Sequence, residues 1–481
     1  MSARYLTTTL PYVNADPHIG HALEFVQADV LARVWREAKN EVFFNTGTDE
    51  HGQKIYDAAK KSGQELQAYI DHYAAEVQKL KESLNLSTDA FIRTTSPTHI
   101  KAAQEMWRRC VAEGDIYLKE YEGLYCVGCE SFKTEKELTD GKCPDHNIEP
   151  QVLREKNYFF KFKKYEEPLL NYLQKSGTIV PEWRRQEAIN FVKGGLEDFS
   201  ISREKKRLSW GIQVPGDDSQ MMYVWFDALT NYISTLGWPS SAKATEGNPD
   251  LFKKFWQEGV TLQVAGKDQV RFQSLMWQAM LMSAGIKNTD QIFYHGFITS
   301  GGQKMSKSIG NVINPLELVE KYGTDAVRYV LLRHASPDED FDLTRETIHE
   351  HYTANLANGL GNLVARVMKL AEDYLQNPII ITQDDEKISD EFFKKIEAFR
   401  FNEAMDFVFA RISAADAYMN MNEPYKKIKV DAVVAKKDIE YLVRELYRIA
   451  IHLVSTMPRT SEIIKNAVQE NKKPTNLFPR L

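Results

Sequence analysis

"LPYVNADPHIGH" occupies Leu10 to His21, directly behind an alternating, Thr-rich stretch from Arg4 to Leu10 that suits a β-strand. Pro17 then reads as the opening of a helix, because its preset φ fits the first turn and its missing N–H has no partner to lose there. Ile19, Leu23, Val26, Val30 and Val34 follow at steps of three and four, the spacing of one buried helix face. A second apolar stretch, "EVFF", runs into "NTGTDEHG", and a long amphipathic helical region comes after it. Strand, turn, helix and strand in this order open a parallel α/β sheet. The two histidines then sit where a helix N-terminus favours anions; the plain alternative is a solvated strand-to-helix turn.

At 481 residues the chain exceeds one ordinary core, so two to four domains are expected. An apolar share of 43% beside 27% charged residues describes a globular protein that dissolves in water. No apolar run reaches membrane-spanning length, and "MSARYLTTTL" lacks the basic-then-apolar layout of a signal peptide, so a cytoplasmic protein with no membrane partner is expected. A net charge of −6 does not announce nucleic acid, although a local basic patch would still serve. Four cysteines in so long a chain are no disulfide scaffold.

Near residue 116 the pattern changes to short, turn-rich, cysteine-bearing segments, as in an inserted module. Cys126 and Cys129 form C-x-x-C, and Cys143 with His146 forms C-x-x-H. Three thiolates and one imidazole make a closed tetrahedral set, which suits one structural Zn²⁺ per chain and leaves no open catalytic position. So polar a lobe would depend on its metal to fold. Cys110 stands apart on a helical stretch and reads as a packed thiol. Strands are expected again at "MMYVWFDAL", "TLQVAGKD" and "QIFYHGFIT". Beyond about residue 346 the spacing is helical, interrupted by a loop at "LQNPIIITQDDEK" and closed by a tail packed back on the body.

The second chemical signal is "SGGQKMSKSIGN", residues 300–311. Gly301 and Gly302 permit a tight turn, Lys304 and Lys307 add two cations, and Ser306 and Ser308 add donors. Such a loop can close over polyphosphate and neutralise charge on departing pyrophosphate. Alone it reads equally as a solvated basic loop.

Together, His-Ile-Gly-His after the first strand and Lys-Met-Ser-Lys-Ser after a late one resemble the paired signatures of class I aminoacyl-tRNA synthetases. The resemblance narrows to the methionyl-tRNA synthetase family and spans nearly the whole chain, through "TLPYVNADPHIGH", "NTGTDEHG", "YCVGC…CPDH", "MYVWFDALTNY", "GKD", "YHGFITSGGQKMSKS" and "NLANGLGNLVAR". It implies a Rossmann-like α/β catalytic domain, split by a zinc-knuckle insertion and followed by an all-α anticodon-binding bundle. The boundaries expected are 1–115 and 223–300 for the two catalytic halves, 116–222 for the insertion, 301–345 for the lysine loop and linking segment, and 346–481 for the bundle. The insertion is shorter than the editing domains of the class members specific for branched aliphatic amino acids.

The same resemblance implies the site. ATP, with Mg²⁺, falls to Asn14, His18, Gly20, His21, Asp268, His295, Ile298, Lys304 and Lys307, of which His18, His21, Lys304 and Lys307 are the catalytic set. Methionine falls to Leu10, Tyr12, Asp49, Trp225, Ala228, Leu229 and Tyr232. Gln269 and Gln273 stand where the family usually has Ile or Asn and a pocket-lining His; a Gln can still bond a neighbouring Tyr hydroxyl. Asn362 and Arg366, at i and i+4, match the pair that reads anticodon bases, and Tyr425 replaces the family's stacking Trp, with Lys426, Lys427 and Lys429 beside it. The implied partners are L-methionine, ATP and tRNA(Met), initiator included. The chain ends near the bundle, without an appended tRNA-binding barrel, so a monomer is expected. A non-catalytic tRNA-binding relative is the alternative, against which the intact His18, His21, Lys304 and Lys307 argue.

Overall fold

The computed structural model describes residues 2–128, 131–144, 147–239, 250–305 and 310–481. They form two compact units: Met1–Pro17, Lys39–Lys79 and Thr88–Tyr294 in the first, and His18–Ala38, Leu80–Ser87 and His295–Leu481 in the second.

A six-stranded sheet organises the first unit: β1 (Ala3–Thr8), β2 (Glu41–Thr48), β3 (Ala90–Arg93), β4 (Ile179–Val180), β5 (Val260–Gly266) and β6 (Gln291–His295), in the order β3-β2-β1-β5-β6-β4. The β1–β2, β1–β5, β2–β3 and β4–β6 ladders are parallel, as the opening stretch predicts. Burial deepens toward the C-terminal ends of β1 and β2, and parallel α/β sheets carry their ligands just beyond such ends. Leu10 and Tyr12 follow β1, Asp49 follows β2, and Asp268 and Gln269 follow β5. Gly47, paired with Ile92 across β2 and β3, must be glycine, because a Cβ there would lie 1.9 Å from the Ile92 carbonyl oxygen.

The inserted region holds a four-stranded antiparallel sheet of Ser131–Lys133, Ile116–Cys126, Gln151–Phe160 and Phe199–Ser200. A tight turn at Asp140 and Gly141, both at positive φ, pairs Thr139 with Lys142 through reciprocal backbone bonds of 2.9 and 3.0 Å. Two expected strands differ. "MMYVWFDAL" contributes only Met221 and Met222 to the strand Gln220–Met222, in an antiparallel ribbon with Ser202–Glu204, before turning into a helix at Val224–Leu229. A short run that is apolar except for Asp227 carries too little periodicity to separate a buried strand from a buried helix. "QIFYHGFIT" divides at Gly296: β6 ends at His295, and Ile298–Ser300 joins a three-stranded sheet with Gln303–Lys304 and Phe341–Asp342. A Cβ on Gly296 would meet Glu339 backbone at 2.1 Å, so the chain passes too close there for any side chain.

The second unit takes α1 (Ile19–Glu37) and the C-terminal helices, among them Thr324–Arg333, Asn362–Tyr374, Phe401–Asn422, Ala432–Leu453 and Pro458–Glu470. All five apolar positions read for α1 are buried. Its Asp29 is also buried, and its carboxylate is matched by Arg328 at 2.8 Å and Arg33 at 2.7 Å. Arg328 is fully buried too and donates to the carbonyls of Leu84, Ser455 and Thr456. The tail folds back as expected: Phe478 is buried, and the Tyr352 hydroxyl donates to the Pro479 carbonyl at 2.7 Å. Cys110 is a packed thiol within the Pro97–Ala112 helix. Among the described residues no helix is long and apolar enough to cross a membrane.

Candidate active site

The residues expected at methionine lie in the first unit and divide into groups whose contacts are visible. Past β1 and β2 the chain stays paired: Asp49 N–H donates to the Pro11 carbonyl at 3.0 Å and Val13 N–H to the Asp49 carbonyl at 3.2 Å, so Tyr12 and Asp49 lie side by side. Trp225, on the helix Val224–Leu229, meets Tyr12 edge-on at 6.4 Å and stacks on Phe272 at 3.8 Å with 10° between planes. Ala228 and Leu229 of the same helix are buried, and Leu10 is half-buried. The Tyr232 hydroxyl receives the Gln273 side-chain amide, and the Tyr232 carbonyl receives the Tyr5 hydroxyl at 2.7 Å. Gln273 is fully buried, so this replacement for histidine is held as a neutral donor. Gln269 donates to the exposed Asp268 carboxylate at 3.1 Å. An apolar and aromatic wall beside one buried carboxylate suits an α-amino acid with a soft thioether side chain.

The two histidines of the opening stretch lie in the second unit, and there they cap α1. His18 is the N-cap; its Nδ1 accepts the Gly20 N–H at 3.1 Å, while His21 Nδ1 accepts the His18 N–H at 3.2 Å. Their rings stack at 3.8 Å, and a Cβ on Gly20 would press on His18 at 2.9 Å. Burial first, then His18 and His295, push the His21 ring well below the ordinary histidine range, so it is neutral at pH 7. With Nδ1 accepting, a neutral ring carries its proton on Nε2, which makes His21 a hydrogen-bond donor without charge; His18, when neutral, is set the same way. His295 uses Nδ1 on the Gly296 carbonyl at 2.8 Å and Nε2 on Glu24 at 3.0 Å. A carbonyl only accepts, so Nδ1 must donate to it, and one further proton is shared between Nε2 and the Glu24 carboxylate.

Ile298 opens the strand behind His295, and Lys304 lies on its partner strand, opposite Thr299. Gly301 and Gly302, at φ 64° and 71°, make the turn between them, and Gly302 N–H donates to Asp342 at 2.8 Å. Lys307 lies outside the described residues, as do Cys129 and His146 of the zinc set. Cys126 and Cys143 are fully buried, and among the described residues alone no cluster of metal ligands forms. Asn14 is exposed, and its carbonyl accepts the Tyr69 hydroxyl at 3.1 Å.

On the bundle, Asn362 is exposed, whereas Arg366 reaches Asp416 at 3.0 Å and Asn420 at 3.1 Å on the helix Phe401–Asn422. Tyr425, on the short helix Pro424–Lys427, is 39% exposed, and its hydroxyl meets Glu423 at 3.1 Å. Two neighbouring lysines are neutralised, Lys426 by Glu423 at 2.7 Å and Lys427 by Asp438 at 2.6 Å, so the basic patch is weaker than the sequence suggests. Sequence reasoning also missed the stacking partner Phe272, the Glu24–His295 pair, and a buried cluster of His51, His99 and Asp227. His51 and Asp227 belong to the motifs "NTGTDEHG" and "MYVWFDALTNY", which was the available signal.

A family model described as "tRNA synthetases class I (M)" matches residues 4–152 and 137–368. The fold is therefore that of a class I aminoacyl-tRNA synthetase. The methionine–tRNA ligase of Fusobacterium nucleatum is 39% identical over 98% of this chain and 75% of that protein. That of Thermosynechococcus vestitus is 40% identical over 95% of this chain and 88% of its own. Mycobacterium tuberculosis methionyl-tRNA synthetase, solved in complex with methionyl-adenylate, superposes with a TM-score of 0.88 at 36% identity, covering 96% of this chain and 93% of that one. The chain belongs to the methionyl-tRNA synthetase family and is an enzyme, a methionine–tRNA ligase.

Proposed function

We propose that this chain activates L-methionine with ATP and passes the methionyl group to the 3′-terminal ribose of tRNA(Met), initiator tRNA included, releasing AMP and pyrophosphate. The observation that carries the residue assignment is the histidine pair at the start of α1, where both Nδ1 atoms accept backbone N–H groups and each neutral ring keeps Nε2–H to donate. Donors of that kind, with a helix N-terminus, suit the phosphates of ATP. No side chain need act as a nucleophile, because the methionine carboxylate attacks the α-phosphate, and catalysis rests on positioning and electrostatics. Asp49 takes the ammonium group. Leu10, Tyr12, Trp225, Ala228, Leu229, Tyr232, Gln269 and Gln273 enclose the thioether chain. Asn14 and Asp268 serve the nucleotide, His295 and Ile298 border the adenine, and Lys304 and Lys307 meet the pyrophosphate, whose charge Mg²⁺ shares.

Cys126, Cys129, Cys143 and His146 hold one structural Zn²⁺ in this reading. Its support is the full burial of two thiols in a turn-rich lobe: the Cys143 carbonyl accepts the Asn147 N–H at 2.7 Å, and Cys143 N–H donates to Ile148 at 2.9 Å. Asn362, Arg366 and Tyr425 read the anticodon, and the enzyme acts as a cytoplasmic monomer. Pyrophosphate exchange measured with each amino acid in turn tests the core of this reading. Exchange that depends on methionine above all others is expected; exchange driven by another amino acid, or none, overturns it.

A further inference from the structure

Asp227 sits between Trp225 and Ala228 in sequence and is wholly buried in the first unit. Two imidazoles approach its carboxylate: His51 Nδ1 at 3.3 Å from Oδ2, and His99 Nε2 at 3.7 Å from Oδ1. His51 and His99 are themselves buried, at 3% and 0% exposure. None of these four atoms finds a partner in hydrogen-bond geometry, so the carboxylate and the two rings meet as close neighbours in a closed pocket. Burial opposes ionisation of Asp227, but His51 and then His99 outweigh it, and the carboxyl is held below the usual range. A buried carboxylate without a counter-charge would be strongly destabilising. Close by, Glu50 pairs with Arg93 at 2.6 Å, and the Asp49 carboxylate takes the His51 N–H at 3.5 Å.

The three members come from different elements. His51 follows Asp49 beyond β2. His99 lies on the helix Pro97–Ala112, its Nδ1 held at 2.9 Å by Ser234, whose hydroxyl donates to the Asn231 carbonyl. Asp227 lies on the helix that carries Trp225, Ala228 and Leu229. The ring of Trp210 covers His51 at 5.4 Å, and its N–H anchors the Glu50 carbonyl at 2.7 Å.

We propose that Asp227, His51 and His99 form a buried clamp that sets the spacing between the ammonium-binding Asp49 and the wall of Trp225, and so determine methionine affinity as positioning residues. The proposal rests on the functional reading above. None of the three touches substrate; they act through Asp49 and Trp225.

Asp227→Asn keeps the shape and removes the charge. Weakening one contact to the charged ammonium lowers binding by about one to two decades, so kcat/KM for methionine in pyrophosphate exchange should fall by about 10- to 100-fold. The loss should lie in the methionine KM, with kcat and the ATP KM within about twofold of the unaltered chain, the signature of lost uniform binding. His51→Gln should act alike, and the double variant should be no worse than the poorer single, because both remove one interaction. Burst titration of adenylate counts folded sites, so partial unfolding lowers amplitude and leaves KM intact. Where Asp227→Asn fails to fold, Ser234→Ala, which frees the His99 ring, should raise the methionine KM by a few fold. Equal rises in the methionine and ATP KM, additive single variants, or a fall in kcat alone would overturn the clamp. Unchanged kinetics in the variants overturn the clamp while the functional reading stands. Absence of methionine-dependent exchange in the unaltered chain overturns both.

Discussion

In the proposed function His18 and His21 act through the placement of single protons. Each Nδ1 accepts a backbone N–H within the first turn of α1, so the tautomer is settled by residues two and three positions apart. The sequence singled the pair out by its resemblance to a signature; the cap itself is local geometry, and Gly20 leaves room for the rings to stack. Gln273 is the opposite case. Its bond to Tyr232 was foreseeable as chemistry, yet its complete burial is a tertiary fact. At this scale the lysine loop gives a direct prediction. Removing one aimed donor to developing phosphate charge costs about 10²–10³ in rate, so Lys307→Ala should slow adenylate formation by that factor with methionine binding little changed. Stopped-flow adenylate formation measures it, and a rate near that of the parent removes Lys307 from the reaction.

Among the elements, the short helix Pro424–Lys427 presents Tyr425 with 39% of its surface open, although its lysine neighbours are largely paired with Glu423 and Asp438. In the proposed function the stacking face, more than net charge, supplies affinity for an unstacked base. Base–aromatic stacking is worth about 1–3 kcal/mol. Tyr425→Ala should weaken tRNA charging by about one to two decades and leave tRNA-independent exchange unchanged, while Tyr425→Trp should charge at least as well as the parent. Loss of both activities in Tyr425→Ala would make the tyrosine a packing element of the bundle. The cysteine lobe makes a different demand. Elemental analysis should find one zinc per chain, and Cys143→Ser should lose it together with the order of the Asp140–Gly141 hairpin, read by proteolysis of the lobe. A metal-free parent with an intact lobe refutes the zinc reading.

Over the whole molecule, the second unit collects histidines that burial keeps neutral. Burial first, then His351 and Arg333, depress His334 to about 4, and burial likewise leads for His21, His351 and His452. The unfolded chain, with ordinary values near 6.5, takes up protons first as pH falls. Stability from these groups is therefore complete above about pH 6.5 and is lost progressively toward pH 4. Melting temperature should drop between pH 7 and pH 5 by at least about 2–4 °C, the shift made by roughly 1 kcal/mol in a domain of 150–250 residues. His334→Gln should flatten that dependence; a melting temperature independent of pH in this window contradicts the assignment.

What the amino-acid sequence determined by itself is whatever depends on neighbours within a turn or a strand: the buried face from Ile19 to Val34, the parallel opening of the sheet, the glycine turn at Gly301–Gly302 and the helical end, although α1 starts at Ile19 behind the N-cap His18 and not at Pro17. These follow from periodicity and local hydrogen bonding. Tertiary structure alone decided the rest. It bends "MMYVWFDAL" from a short ribbon into a helix, divides "QIFYHGFIT" at Gly296, ties Arg366 to Asp416, and brings His51, His99 and Asp227 around one buried charge. The reason is physical: a buried carboxylate must find its counter-charge wherever the folded chain supplies one, and nothing in the spacing of three residues on separate elements records that they meet.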